Sequence, residues 1–238
     1  MIITITNRRA LVYRSEKGGF FMPILRKVMH LAGKLRPVME VRAFATEVRA
    51  SPVEDGSGAL RFEGYAALFN SWSQDLGGFR EQIAPGAFTK ALTADDIRAL
   101  LNHDKNYVLG RNRSGTLVLT EDDRGLRFEV TAPNTQWARD LYESVKRGDI
   151  DQCSFGFRTV RDDWRTADGI DERTLLEVRL FDVSIVTYPA YPETNANVRS
   201  CADVLAEHRA AAPAGSPARI RVMREQINLK MKEMGTND

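Results

Sequence analysis

Gln152-Cys153-Ser154-Phe155-Gly156-Phe157-Arg158-Thr159-Val160 and Leu175-Leu176-Glu177-Val178-Arg179-Leu180-Phe181-Asp182-Val183-Ser184-Ile185-Val186 are the stretches on which the fold turns. Both are rich in β-branched and aromatic residues, and both predict long strands. Tyr188-Pro189-Ala190-Tyr191-Pro192 ends the second, because proline cannot continue a ladder. Working outward, Leu60 to Phe69 carries Phe62, Tyr65 and Phe69 and predicts another strand. Thr116 to Thr120 and Leu126 to Thr131 flank Glu121-Asp122-Asp123-Arg124-Gly125, a hairpin signal. Pro85-Gly86-Ala87-Phe88 opens an expected helix that reaches Leu101, with Phe88, Leu92, Ile97, Leu100 and Leu101 on its apolar side. Asn134 or Thr135 is expected to cap a further helix that runs to Lys146-Arg147-Gly148, with Trp137, Leu141 and Val145 on one face. The sum is a β-rich α+β domain.

Composition narrows the classes. At 238 residues, 43% hydrophobic and 28% charged, the chain has the balance of a folded globular protein. Two cysteines, Cys153 and Cys201, exclude a disulfide scaffold. No apolar run reaches the roughly 18 residues of a membrane span. Phe20 to Leu25 is cut short by Arg26 and Lys27, so it is no signal-peptide core, and the chain reads as cytoplasmic. Charge is uneven. Residues 1–50 hold ten Lys/Arg and three Asp/Glu, whereas 51–200 hold eighteen and twenty-four. Residues 1–40 therefore read as a basic, flexible extension, with Met39 as an alternative start to Met1. The domain occupies 41–200, and 201–238 hold a linker, Ala210 to Ala218, and an amphipathic helix. That helix is marked by Ile220, Met223, Ile227, Met231 and Met234 and suits a partner or a second copy. The acidic middle argues against specific nucleic-acid binding through the core.

Few residues are able to carry chemistry. His30 lies in the basic head and His208 near the linker, so His103 is the one imidazole inside the domain. Ser154 is a small hydroxyl within a bulky strand, beside Gly156, which lets another backbone approach. Cys153 is a rival nucleophile, but on a strand it points to the opposite face. A third group must orient the imidazole. Glu177, Asp182 and Asp104 are the candidates. Asp182 interrupts an apolar strand, where a carboxylate must be paired or face a site. Asp104 suits a local turn. One histidine and two distant cysteines make no metal spacing, and no phosphate loop or dinucleotide fingerprint is present, so no cofactor is expected.

Nine pieces in order carry a resemblance. They are Phe62-Glu63-Gly64-Tyr65-Ala66-Ala67-Leu68-Phe69-Asn70, Leu76-Gly77-Gly78-Phe79-Arg80-Glu81, Ile83-Ala84-Pro85-Gly86-Ala87-Phe88, Leu101-Asn102-His103-Asp104, Leu109-Gly110-Arg111, Gly125-Leu126, Gly148-Asp149-Ile150, Ser154-Phe155-Gly156-Phe157, and Phe181-Asp182-Val183-Ser184-Ile185-Val186 with Pro189-Ala190-Tyr191-Pro192. Over about 42–198 the chain resembles the prohead maturation serine proteases of tailed bacteriophages. The resemblance implies a small closed β-barrel wrapped by helices, similar to the herpesvirus assembly proteases. It implies a serine endopeptidase with His103 as base and Ser154 as nucleophile. The third role is carried to Asp182, with Glu177 in reserve; a second core histidine, as in the herpesvirus enzymes, is missing. It further implies action in the host cytoplasm, inside the assembling prohead, on scaffold or on the scaffold-like segment of the major capsid protein, and on itself. Homo-oligomers are compatible with it. The competing reading is a non-catalytic scaffold or assembly protein of the same fold. The serine lies outside a Gly-x-Ser-x-Gly elbow, which argues against an α/β-hydrolase.

Overall fold

The computed structural model describes residues 39–44, 48–53, 58–188, 200–211 and 220. The basic head before residue 39, the Pro189–Pro192 break, the linker beyond Ala211 and the helical pattern after Ile220 lie outside the described residues.

The described strands are β1 (Glu40–Phe44), β2 (Arg49–Pro52), β3 (Leu60–Leu68), β4 (Phe79–Ile83), β5 (Arg98–Leu101), β6 (Asp104–Arg111), β7 (Leu117–Glu121), β8 (Gly125–Thr131), β9 (Gln152–Ala167) and β10 (Ile170–Val186). The α-helices are α1 (Thr89–Ala94), α2 (Gln136–Lys146) and α3 (Cys201–Ala211). The two stretches that decide the fold are both longer than their apolar cores suggest. They form one hairpin, closed at Asp168-Gly169, where both residues have positive φ (49° and 80°). Asp-Gly is a favoured pair for such a turn, since its twist matches that of the strands.

β10 organises the first sheet. One edge pairs antiparallel with β9, while the other pairs in parallel with β4 near its start and with β5 near its end. β1 adds to the outer edge of β9, and β6 adds to β5. The second sheet runs β2-β3-β8-β7. Among the described residues no ladder joins the two sheets, so the expected closed barrel is corrected to a mostly-β fold of two sheets. The physical reason is that apolar faces, not edges, bring the sheets together. Phe62, Leu126, Phe128 and Val130 of one share a buried core with Cys153, Phe155, Phe157, Val183 and Ile185 of the other. Each of these larger side chains contributes about 1.5–3 kcal/mol by leaving water.

Two expectations about helices change. The helix from Pro85 ends at Ala94, and Ala99-Leu100-Leu101 belong to β5. Asp95 closes it in an extended conformation, and its carboxylate accepts from the Leu180 N–H (2.9 Å) and from Arg179 Nε (2.5 Å) of β10. The apolar spacing ran on by coincidence, and pairing with a strand more than eighty residues away decided the matter. α2 forms as expected, with Ala138, Leu141 and Val145 buried and Trp137 packed against the core. Neither expected cap works as a side-chain cap: Thr135 occupies the cap position without such a bond, and Asn134 Oδ1 instead accepts from Arg139 Nη1 (2.5 Å). α3 lays Val204 and Leu205 on Phe79, stacks His208 on Trp164, and pairs Arg209 with Asp171.

Candidate active site

The alternation of β9 and β10 sorts their side chains onto two faces. Cys153, Phe155 and Phe157 face the core, as do Val183 and Ile185. Ser154 and Gly156 therefore point to the other face, where they stand opposite Ser184 and Asp182 in register. Ser154, Asp182 and Ser184 are all buried there, Ser154 completely.

His103 comes from the next strand over. β5 and β6 are joined at Asn102-His103, between the paired residues Leu101 and Asp104. Both turn residues have positive φ, 52° and 55°. That region is uncommon for residues other than glycine, asparagine and histidine being among those that adopt it most often, and it costs about 1–3 kcal/mol. The turn is tied to the end of β10: the Asn102 N–H donates to the Ile185 carbonyl (2.9 Å) and the Thr187 N–H donates to Asn102 Oδ1 (2.9 Å).

The turn delivers the imidazole between the two strand residues. His103 Nε2 lies 2.7 Å from Ser154 Oγ, and Nδ1 lies 2.5 Å from Asp182 Oδ1. The Ser184 hydroxyl donates to the same Asp182 oxygen (2.8 Å) and lies 3.2 Å from Nδ1. Ser154 Oγ also lies within donating distance of the Arg42 carbonyl in β1 (2.9 Å). A serine has one proton to give, so the two acceptors compete for it. With Nδ1–H directed at the carboxylate, Nε2 carries the lone pair and is able to accept from the Ser154 hydroxyl.

Gly156 has a specific reason to be glycine. A Cβ built there would sit 2.3 Å from Asp182 Oδ2 and 3.0 Å from Met39 Sδ. The sequence suggested that another backbone approaches this glycine; what approaches is the Asp182 carboxylate.

The other candidates stand elsewhere. Glu177 accepts from Lys90 Nζ (2.7 Å) at an exposed position, so the structure does not bring it to His103. Asp104 Oδ1 accepts from the backbone N–H and side-chain amide of Asn106, a local turn. Cys153 is buried on the core face. Sequence reasoning missed Ser184 and Asn102. Two-residue alternation from Asp182 could have found the first, and an Asn-led turn between two strands the second. Among the described residues no group of three His, Cys, Asp or Glu side chains is arranged to hold a metal.

Beside the site runs a second buried cluster that fixes β1. Arg173 Nη1 reaches Glu40 (2.7 Å) and Glu81 (2.8 Å), and its Nε reaches Asp162 (2.7 Å). Arg42 joins Glu81 (2.9 Å) and Glu40 (3.2 Å). Burial pushes the Glu40 carboxyl up, but Arg173 and Arg42 outweigh it and hold it below its ordinary value of 4.5. Burial alone would pull the Arg173 guanidinium down, and Glu81, Glu40 and Asp162 more than reverse that. The strand whose carbonyl meets Ser154 is thereby locked to β4, β9 and β10.

The chain is similar to known proteins. The prohead protease of Enterobacteria phage HK97 is 31% identical over 134 residues, which is 54% of this chain and 55% of that protein. The chain thus spans about half the length of that curated relative. Among solved structures, the bacteriophage T4 capsid assembly protease matches with a TM-score of 0.39 at 13% identity, covering 62% of this chain and 98% of that one. No helix among the described residues is long and apolar enough to cross a membrane. The pattern of the caudovirus prohead serine proteases matches residues 45–207, well over half of the sequence, and the chain belongs to that family.

Proposed function

We propose that this chain is a serine endopeptidase of prohead maturation in which Ser154 is the nucleophile, His103 the general base and Asp182 the group that orients it. The observation that carries the reading is the hydrogen-bonded line from Ser154 Oγ through His103 to Asp182, at 2.7 and 2.5 Å. Ser154 Oγ attacks a peptide carbonyl carbon as its proton passes to His103 Nε2. The imidazolium donates Nδ1–H to Asp182 and gives the Nε2 proton to the leaving amine. An ester on Ser154 remains. Water attacks that ester with His103 as base, the acid product leaves, and the proton returns to Ser154. In the first step the hydroxyl donates to Nε2 rather than to the Arg42 carbonyl.

The substrates in this reading are scaffold or the scaffold-like segment of the major capsid protein, together with the chain itself. The site of action is the assembling prohead in the host cytoplasm. In this reading the protease domain spans about 41–200, β1 and α3 pack onto it, and residues 1–38 and 212–238 are the extensions available for docking or self-cleavage.

Wild type and Ser154→Ala, each co-expressed with the major capsid protein of the same phage and read by intact mass, test the reading. Cleavage in wild type alone is expected. Equal cleavage in both removes Ser154 from the chemistry. Intact capsid protein in normal shells from both would replace the protease with a non-catalytic assembly protein. Wild-type chains that keep both ends while a substrate is cut would remove self-cleavage.

A further inference from the structure

We infer that Ser184 is a positioning residue for the reaction, holding the Asp182 carboxylate in line with His103 Nδ1. This rests on the assignment of Ser154, His103 and Asp182 proposed above. Ser184 follows Asp182 by two residues and so shares its face of β10, directly opposite Ser154 in register. It is 2% exposed, and its hydroxyl donates to Asp182 Oδ1 (2.8 Å), the oxygen that also faces Nδ1.

The need for a second donor follows from the neighbourhood. The last torsion of an aspartate is broad, so the carboxylate plane is not set by rotamer preference. On the β9 side it faces Gly156, which has no side chain to buttress Oδ2. One bond to Nδ1 leaves the plane free to swing about that contact. A second, charge-assisted bond to the same oxygen fixes it, and such bonds are about twice as strong as neutral ones. Ser184 also lies 3.2 Å from His103 Nδ1, but it acts on the reaction by holding Asp182 and does not reach the Ser154 hydroxyl or Nε2, between which the proton passes.

The experiment measures how fast a fluorophosphonate probe modifies Ser154 in the full chain, by intact mass. Ser184→Ala is expected to slow labelling about tenfold, the effect of losing roughly one hydrogen bond's worth of alignment. Ser184→Thr, which keeps the hydroxyl, should recover most of that loss; Ser184→Cys, nearly isosteric with a weaker donor, should fall between if threonine melts early. In an Asp182→Asn background, Ser184→Ala should slow labelling less than about twofold, because coupled residues are not additive. Ser184→Ala at the wild-type rate overturns the inference. So does a tenfold loss that persists unchanged in the Asp182→Asn background, since Ser184 would then be acting through packing alone. Ser154→Ala and His103→Ala separate the two levels. If either labels like wild type, the underlying assignment fails; if both are silent while Ser184→Ala is normal, only the role of Ser184 fails.

Discussion

Two buried polar clusters sit side by side around β1 and β9, and they are built on opposite principles. The cluster of Glu40, Arg42, Glu81, Asp162 and Arg173 sets three carboxylates against two guanidiniums, each charge touching an opposite one, and Arg173 alone reaches all three carboxylates. The cluster of Ser154, His103, Asp182 and Ser184 contains one carboxylate and no guanidinium; its bonds run in a line that ends on a hydroxyl. The first is closed, so none of its groups is free to react, and removing one leaves a buried charge exposed to its neighbours. The second is open at one end, where a proton has two acceptors to choose between. A saturated network holds a strand in place, whereas an unsaturated line leaves a proton two acceptors, which is what the proposed mechanism requires.

Arg173→Met tests the separation most severely. It leaves Glu40 and Glu81 with Arg42 as their remaining guanidinium and should cost about 3–5 kcal/mol, read as a lower denaturant midpoint. Labelling of Ser154 per folded molecule should stay within about threefold of wild type. A tenfold loss per folded molecule would show that the two clusters act as one, through the Arg42 carbonyl.

Gly156→Ala works from the other side. Its Cβ would collide with Asp182 Oδ2 and displace the carboxylate. A shift of about 1 Å can cost about 10²-fold in rate, and that loss should appear in Ser154 labelling with a much smaller change in the unfolding midpoint. Unchanged labelling would mean that Asp182 does not orient His103.

Asn102→Ala should cost about 1–2 kcal/mol in the same unfolding experiment, because alanine tolerates positive φ poorly and the Thr187 N–H loses its acceptor. Asn102→Gly should recover the backbone part of that loss. A glycine variant as unstable as alanine would assign the whole effect to the lost hydrogen bond.

The smallest effect is with pH. Glu40 is held below its ordinary value of 4.5, so its contribution to stability is fully present above that value. It is lost as pH falls through the lowered folded value. The stability gap between wild type and Glu40→Gln should therefore narrow on acidification below about pH 4.5. A gap that widens would reverse the assigned direction.

Legibility differed between the two clusters. His103 was conspicuous by scarcity and Asp182 by its setting in an apolar strand, and neither argument needed coordinates. Strand alternation alone separated Cys153 from Ser154. The ion network gave no such signal. Glu40, Glu81 and Arg173 lie far apart in sequence among ordinary-looking neighbours, and charged residues on strands usually face solvent. β5 was misread as the end of a helix because its apolar spacing fitted both periods, and its partner was a remote strand.

Local sequence decided where β9 and β10 run, which of their faces is apolar, and which few side chains are able to move a proton. These follow from short-range propensity and from a period of two, both readable along the chain. The number of sheets, the saturation of the ion network and the placing of Asp182 rather than Glu177 beside His103 were decided only in three dimensions. Each depends on which distant edges and faces meet, and that is settled by burial summed over the whole core rather than by any one segment.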